Sequence, residues 1–301
     1  MKDSAHACAK AILIGEHFVL YDSPSIALPL LELRLTVRIQ KVERGHLSVF
    51  DRNTLLDQPE VYELVSKALS LMGVTERSWD VRIISDIPLG CGLGSSAALS
   101  VALIRELGRM LGEDIPLKRL NSLAFELEKV SHGSPSGLDN SVISAESPVW
   151  FEMGSEPELL SLPALCFVLA DSGIRGSTVH AVESVRARGQ ERPEWLRALA
   201  SESRKDTVEM RRLLSIGDET LLGALLNRAH QRLRDLGVST DELDTLQKAA
   251  LEAGALGAKL TGAGRGGCVL ALVDVENATK VAQGLLKKGA RNTWVVRTGG
   301  S

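Results

Sequence analysis

The chain has 301 residues, 44% of them hydrophobic and 24% charged, with a formal net charge of −3. That is the balance of a soluble globular protein long enough for one large domain or two ordinary ones. The mildly acidic whole-protein field argues against nucleic acid or an anionic membrane as partner.

Residues 11–13 are apolar but are broken at once by Gly15-Glu16-His17, so no signal peptide is expected. No apolar run approaches the length of a membrane span. The four cysteines, at 8, 91, 166 and 268, form no C-x-x-C pair and have no histidine cluster beside them. That excludes a structural zinc site and suits a reducing cytoplasm.

In chain order, the short apolar run at 11–14 reads as a buried strand, and the alternation over 33–40 as a half-buried one. Residues 47–49 and 81–83 read as further strands, 51–57 as a polar turn, and 61–72 as a helix. The stretch at 88–98, Pro-Leu-Gly-Cys-Gly-Leu-Gly-Ser-Ser-Ala-Ala, is the most informative feature of the chain. Glycine lets a ligand approach backbone N–H groups closely, and a helix start adds unpaired donors and the positive end of the dipole. Together they make a phosphate site, so the expected ligand is a nucleotide or another phosphorylated molecule. The stretch fits neither the Walker A loop, since no Lys follows its last Gly, nor the G-x-G-x-x-G dinucleotide fingerprint. Its bland alternative is a tight strand-to-helix turn.

The helix after this loop carries an apolar stripe through Ala98, Val101, Ala102, Leu107 and Leu111. A second helix, from Leu117 to Val130, stops at His132-Gly133. Ser134-Pro135-Ser136-Gly137 then forms a turn, with Ser136 as candidate cap of a further helix that carries Asp139 in its first turn. The polar, Pro-bearing stretch at 154–163 suggests a domain boundary, giving domains 1–160 and 161–301. Beyond it, 165–170 reads as a strand, and a helical region follows that includes 202–216, 220–236 and 240–253. A second glycine loop lies at 261–267 between a strand entry at 258–260 and a strand at 268–273. A helix at 275–286 and a strand at 293–296 complete the chain. The mixed order argues α+β rather than a βαβ series.

Three further features bear on chemistry. Lys10 is embedded beside a short apolar strand, which is unfavourable without an anionic partner. The alternative is a sheet-edge lysine with its amine in water. Glu126 and Glu128 crowd a helix C-terminus against the dipole. Mg²⁺ held by Glu128 and a serine hydroxyl would account for one of them, whereas Glu126 reads as part of a solvated face. The loop at 259–267, with Arg265 inside it, could close over a phosphate or be a plain β-hairpin loop.

These segments together resemble the GHMP kinase superfamily, and within it the mevalonate kinases. Lys10 to His17 resembles the first family motif, Pro88 to Ala97 the second, and Lys259 to Cys268 the third. His132-Gly133-Ser134-Pro135-Ser136-Gly137-Leu138-Asp139-Asn140 resembles a fourth segment, and the four occur in the family's order. The resemblance implies a two-domain α+β GHMP kinase fold with the active site between the domains. The N-terminal domain would be like domain 2 of ribosomal protein S5 and the C-terminal domain ferredoxin-like. It also implies an ATP- and Mg²⁺-dependent transfer of phosphoryl to the primary hydroxyl of mevalonate, in isoprenoid biosynthesis. Asp139 would be the catalytic carboxylate and Lys10 its partner. Pro88, Gly90, Cys91, Gly92, Leu93, Gly94, Ser95, Ser96 and Ala97 would hold ATP, with Ser96 and Glu128 on the metal. Glu16, His17, Ser136, Thr178, Gly262 and Ala263 would line the substrate. Asp171, Ser172 and Ser177 fall where the family has further contacts, and a homodimer is expected.

The sequence departs from the family pattern at Cys8, where proline is usual, and at Asp22 and Arg265, where glycine is frequent. The Cys8 departure puts the placement of Lys10 in question. Rival readings are a galactokinase-like or phosphomevalonate kinase, and a non-catalytic nucleotide-binding regulator. The apolar Phe18-Val19-Leu20 after Gly15-Glu16-His17 favours a methyl-bearing acceptor over a sugar. A regulator would be expected to lack Lys10 or Asp139.

Overall fold

The computed structural model describes residues 4–43, 47–51, 54–55, 58–75, 78–132 and 135–299. The expected Gly133 and Ser134 of the fourth motif, and the side chain of His132, lie outside the described residues. In chain order the elements are β1 (Ala5–Ile14), a 3₁₀ turn (Phe18–Leu20), β2 (Ser25–Lys41), β3 (Ser48–Asp51), β4 (Thr54–Leu55), α1 (Pro59–Leu71), β5 (Trp79–Ser85), α2 (Ser95–Leu111), α3 (Leu117–His132) and α4 (Leu138–Ala145). There follow β6 (Val149–Phe151), β7 (Glu158–Leu159), β8 (Cys166–Asp171), α5 (Thr178–Glu191), α6 (Pro193–Ile216), α7 (Glu219–Asp235), α8 (Asp241–Glu252), β9 (Gly257–Thr261), β10 (Cys268–Val273), a 3₁₀ turn (Val275–Asn277), α9 (Ala278–Lys287) and β11 (Asn292–Arg297).

Two compact units interleave along the sequence. The first comprises residues 1–10, 29–88 and 94–147, the second 11–28, 89–93 and 148–301. In the first unit, β2 pairs antiparallel with β5 from Leu35↔Ser85 to Lys41↔Trp79, and β3 runs parallel to β5. The polar turn expected at 51–57 includes the short strand β4, antiparallel to β3. Helices α1 to α4 pack on one another, and their buried residues include Leu64, Val65, Val101, Leu107 and Leu127. Glu106 on α2 is fully buried. Its carboxylate accepts the Ala5 and Ile39 N–H groups at 3.0 and 3.2 Å and both arms of Arg109 at 2.9 and 2.8 Å. One carboxylate thereby ties two strands to a helix, since a buried charge is tolerated only when so satisfied.

The second unit is built on a four-stranded antiparallel sheet, order β11-β8-β10-β9. All six residues of β8 and of β10 are buried, as the continuous apolar runs require of central strands. Phe18, Val168, Ala170, Leu233, Leu246, Val269 and Val281 belong to one core. The second glycine loop closes the hairpin from Thr261 to Cys268, so its plain hairpin reading is the observed geometry.

Three helix expectations need correction. α5 was not foreseen as an element of its own; its buried apolar side chains are few, though Ser177 caps it by accepting the His180 N–H at 3.3 Å. Gly137, at φ 93°, is the N-cap of α4 rather than Ser136; the Ser136 hydroxyl still accepts the Leu138 N–H at 3.3 Å. The helix expected from Val275 begins as a 3₁₀ turn and becomes α only at Ala278. Among the described residues, no helix is long and apolar enough to cross a membrane.

His230 on α7 ties this unit together. Its Nδ1 accepts the Leu260 N–H at 3.2 Å, and its Nε2 lies 3.1 Å from Asp244 Oδ1. The first contact needs a bare Nδ1, so the ring is neutral and Nε2–H donates to Asp244. Burial, which opposes a charged ring more than Asp244 favours one, pulls its pKa from 6.5 to about 4. The unfolded chain therefore takes up this proton first. The stability contributed is complete above the unfolded value and is lost as pH falls through the window from 6.5 to about 4. The expected loss is about 3 kcal/mol. Urea unfolding at stepped pH should show it, with a shallower dependence in His230→Gln; equal slopes in both proteins would contradict it.

Candidate active site

In the first unit, β1 carries Lys10 inward and α4 presents Asp139 in its first turn. Lys10 Nζ stands 3.1 Å from Asp139 Oδ1, with the lysine side chain 3% exposed and the aspartate 35%. The sheet-edge reading of Lys10, with its amine in solvent, is therefore wrong. Cys8 lies buried inside β1, its thiol pushed up to about 12 chiefly by burial. The strand runs on through it to put Lys10 on Asp139. Gly94 is required here: a Cβ at that position would meet Lys10 Cγ and Ile143 Cδ1 at 3.0 Å each. α4 is fixed in turn by Ser141, which donates to Gly137 O at 2.6 Å, and by Asn140, which donates to Asn121 Oδ1 at 2.5 Å.

α2 starts immediately after the first glycine loop, in which Gly90, Gly92 and Gly94 all have left-handed φ near 70° (69°, 72° and 74°). No side chain caps α2, and its first turn holds no acidic residue. Its opening N–H groups and dipole are thus not neutralised by a carboxylate of that turn. Ser96 and Ser100, one turn apart on α2, both donate to Glu128 Oε1 on α3, at 2.7 and 3.1 Å. Glu128 is buried, so a carboxylate and a hydroxyl meet there as hard oxygen donors, the ligand type Mg²⁺ prefers. Glu126, by contrast, pairs with Lys129 on the surface, as expected of a solvated face.

In the second unit, residues 89–93 pack on the second glycine loop. A Cβ on Gly262 would come within 2.8 Å of Gly92 O, and one on Gly267 within 2.7 Å of Cys91 O. Only glycine permits this approach of two backbones. Arg175 lies over Gly90 and holds Asp171 with two hydrogen bonds, NH1 to Oδ1 at 2.7 Å and NH2 to Oδ2 at 2.9 Å. The Asp171 pKa is accordingly low: burial raises it, but the Arg175 and Gly173 hydrogen bonds outweigh that.

Glu16 forms a buried ion pair with Lys259, whose ammonium also donates to Leu260 O at 2.6 Å. His17 Nε2–H donates to Ala263 O at 2.8 Å, and burial holds the ring below its usual pKa and neutral. Ala263 and Gly262 thus stand beside His17 and Gly92. Thr178 is exposed at the start of α5. Arg265 donates to Ser184 Oγ at 2.6 Å. Asp22 and Arg265, the two positions where glycine is frequent, have φ of 56° and 57°, so the backbone keeps the glycine conformation and the side chains bear the strain.

The Glu16–Lys259 pair, the Asp171–Arg175–Cys91 cluster and the Glu106 node escaped the sequence reading as constellations. A buried lysine entering a glycine loop was the one available signal, since such a charge demands a partner.

Residues 59–147 match the GHMP kinases N terminal domain, and residues 208–291 the GHMP kinases C terminal domain. A mevalonate kinase of Pyrococcus horikoshii is 36% identical over 93% of this chain and 93% of its own length. The structure of L. major mevalonate kinase in complex with R-mevalonate aligns at TM-score 0.87 and 26% identity, covering 99% of this chain and 97% of that one. A mevalonate kinase from methicillin-resistant Staphylococcus aureus aligns at TM-score 0.74 and 31% identity over 99% of each chain.

Proposed function

The chain belongs to the GHMP kinases and, among them, to the mevalonate kinases, and from that premise we propose how its residues move the γ-phosphoryl of ATP onto the primary hydroxyl of mevalonate. The observation that supports the assignment most is the Lys10–Asp139 contact at 3.1 Å. Phosphoryl transfer requires positioning and charge stabilisation more than covalent participation. Asp139 orients the acceptor hydroxyl and takes its proton as the oxygen attacks phosphorus. Lys10 holds that carboxylate in place and offsets the negative charge that develops on the transferring group. The first glycine loop, from Gly90 to Ala97, supplies N–H donors to the phosphates, aided by the α2 dipole.

Ser96 and Glu128 would hold Mg²⁺, which when bound neutralises phosphate charge. Glu128→Gln keeps both serine hydrogen bonds but removes the anionic donor. The Mg²⁺ concentration for half-maximal rate should rise by about tenfold or more. An unchanged Mg²⁺ dependence would remove the metal role from Glu128. Glu16 acts through Lys259 in shaping the strand ends beside His17, and His17 and Ala263 present a neutral surface suited to an uncharged, methyl-bearing part of the acceptor. Ser136, Thr178 and Gly262 complete the proposed acceptor contacts.

ADP release with ATP and Mg²⁺, measured against mevalonate, phosphomevalonate, galactose and homoserine, tests the acceptor. Mevalonate should give the highest kcat/KM. A higher value for any of the others would overturn the assignment.

A further inference from the structure

The second unit contains a thiol pair that the proposed reaction does not use. Cys91 lies in the first glycine loop and Cys268 at the start of β10, and both are buried. Cys91 Sγ, Cys268 Sγ and an Asp171 carboxylate oxygen all lie within 4.8 Å of one another. Arg175 NH1 donates to Cys91 Sγ at 2.6 Å and to Asp171 Oδ1 at 2.7 Å. A divalent cation does not suit this cluster, because Asp171 is already engaged by both arms of a guanidinium. Two sulfurs this close suit thiol–disulfide chemistry instead.

We propose that Cys91 and Cys268 form a peroxide-oxidisable pair whose disulfide ties the first glycine loop to β10 and switches phosphoryl transfer off. The loss of activity rests on the reading that this loop holds the ATP phosphates; formation of the bond does not. The Cys91 thiolate attacks hydrogen peroxide, breaking its O–O bond, to give a sulfenic acid and hydroxide, which takes up a proton as water. The Cys268 sulfur then displaces the sulfenic oxygen, which leaves as a second water once it has taken the Cys268 proton. Two thiols and one peroxide thus become one disulfide and two waters: sulfur is oxidised and peroxide oxygen reduced.

The surroundings fit these roles. The Cys268 thiol is held well above its usual pKa, first by its hydrogen bond to Cys91 and then by burial. Cys268 therefore waits as the protonated partner while Cys91 faces the cation. Arg175, which donates to Cys91 Sγ, has a side chain about a third exposed (36%), so the group touching that sulfur reaches water. Gly90 and Gly92 flank Cys91 with positive φ and no side chains, which leaves the loop able to shift toward β10. The backbones are already in contact, since a Cβ on Gly267 would lie 3.6 Å from Cys91 Cα. The other two cysteines serve as internal controls. Cys166 stands at the far end of the sheet, paired with Val273 while Cys268 pairs with Asp171. Five residues of strand put it about 17 Å from Cys268. Cys8 belongs to the first unit.

The test uses the full chain, reduced, freed of reductant and exposed to hydrogen peroxide without denaturant. The protein is then unfolded in denaturant containing N-ethylmaleimide, which blocks the remaining thiols, all four cysteines being buried in the folded chain, and is digested without reduction. The expected product has lost two hydrogens and yields one peptide joining residues 91 and 268, with 8 and 166 blocked. ADP release should fall in step with that peptide, by on the order of tenfold or more because small displacements of positioning groups are severe, and return with dithiothreitol. Cys268→Ser should yield no linked peptide. If wild-type protein keeps all four thiols open to N-ethylmaleimide after peroxide, the pair does not exist as a redox couple. A linked peptide with unaltered ADP release refutes the switch. If the reduced protein turns over no acceptor, the kinase reading fails instead, and the mass readout still decides the disulfide.

Discussion

Asp139→Asn is expected to lower kcat by about 10²- to 10⁴-fold, the range a positioned acid–base group contributes. The KM for ATP should change little, because the variant leaves the first glycine loop and the Ser96–Glu128 contact intact. Stability should hold as well. Asparagine keeps an oxygen for the Lys10 ammonium, and an ion pair whose acid is about a third exposed (35%) is worth ~1 kcal/mol or less. Steady-state ADP release, with thermal unfolding in parallel, separates the two effects. Turnover near that of wild type would remove Asp139 from the chemistry, and a collapse of stability would make it a structural residue instead.

The largest stability effect is expected at Lys259→Met. Lys259 is 0% exposed and its partner Glu16 2%, and the ammonium also donates to two backbone carbonyls, Ile12 O at 3.4 Å and Leu260 O at 2.6 Å. Methionine fills similar volume but leaves the Glu16 charge buried without that ammonium. Breaking one side of such a pair costs about 3–5 kcal/mol. Removing both charges, as in Lys259→Met with Glu16→Leu, should recover part of the loss, because no unmatched charge then remains. Denaturant unfolding of wild type, single and double variants measures this. A single variant as stable as wild type, or a double variant worse than the single, would show that the pair does not carry the stability assigned to it.

These two sites were not equally legible from sequence. The glycine loop, Lys10 and Asp139 announce themselves through short-range chemistry. Three glycines at alternate positions before a helix specify a backbone that admits an anion. A lysine in an apolar strand asks for a carboxylate. The need for a partner at Lys10 was readable, and by resemblance so was its identity, although 129 positions separate it from Asp139 in the chain. The departures at Asp22 and Arg265 were visible as residue changes. That both retain left-handed φ became visible only once the backbone was traced.

What the amino-acid order determined by itself was local: strands from alternation, helices from apolar spacing, phosphate-loop character from glycine and serine, and membership of a kinase family from four motifs in order. Tertiary structure decided which buried charges meet. Glu16 finds Lys259 across 243 positions, and His230, whose Nδ1 accepts a backbone N–H from 30 positions away, is held neutral by burial. Cys91 comes to lie beside Cys268 because two glycine-lined backbones touch. The reason is physical: backbone propensity and periodicity act over a few residues, whereas removing a charge or a thiol from water depends on whatever the fold brings alongside it.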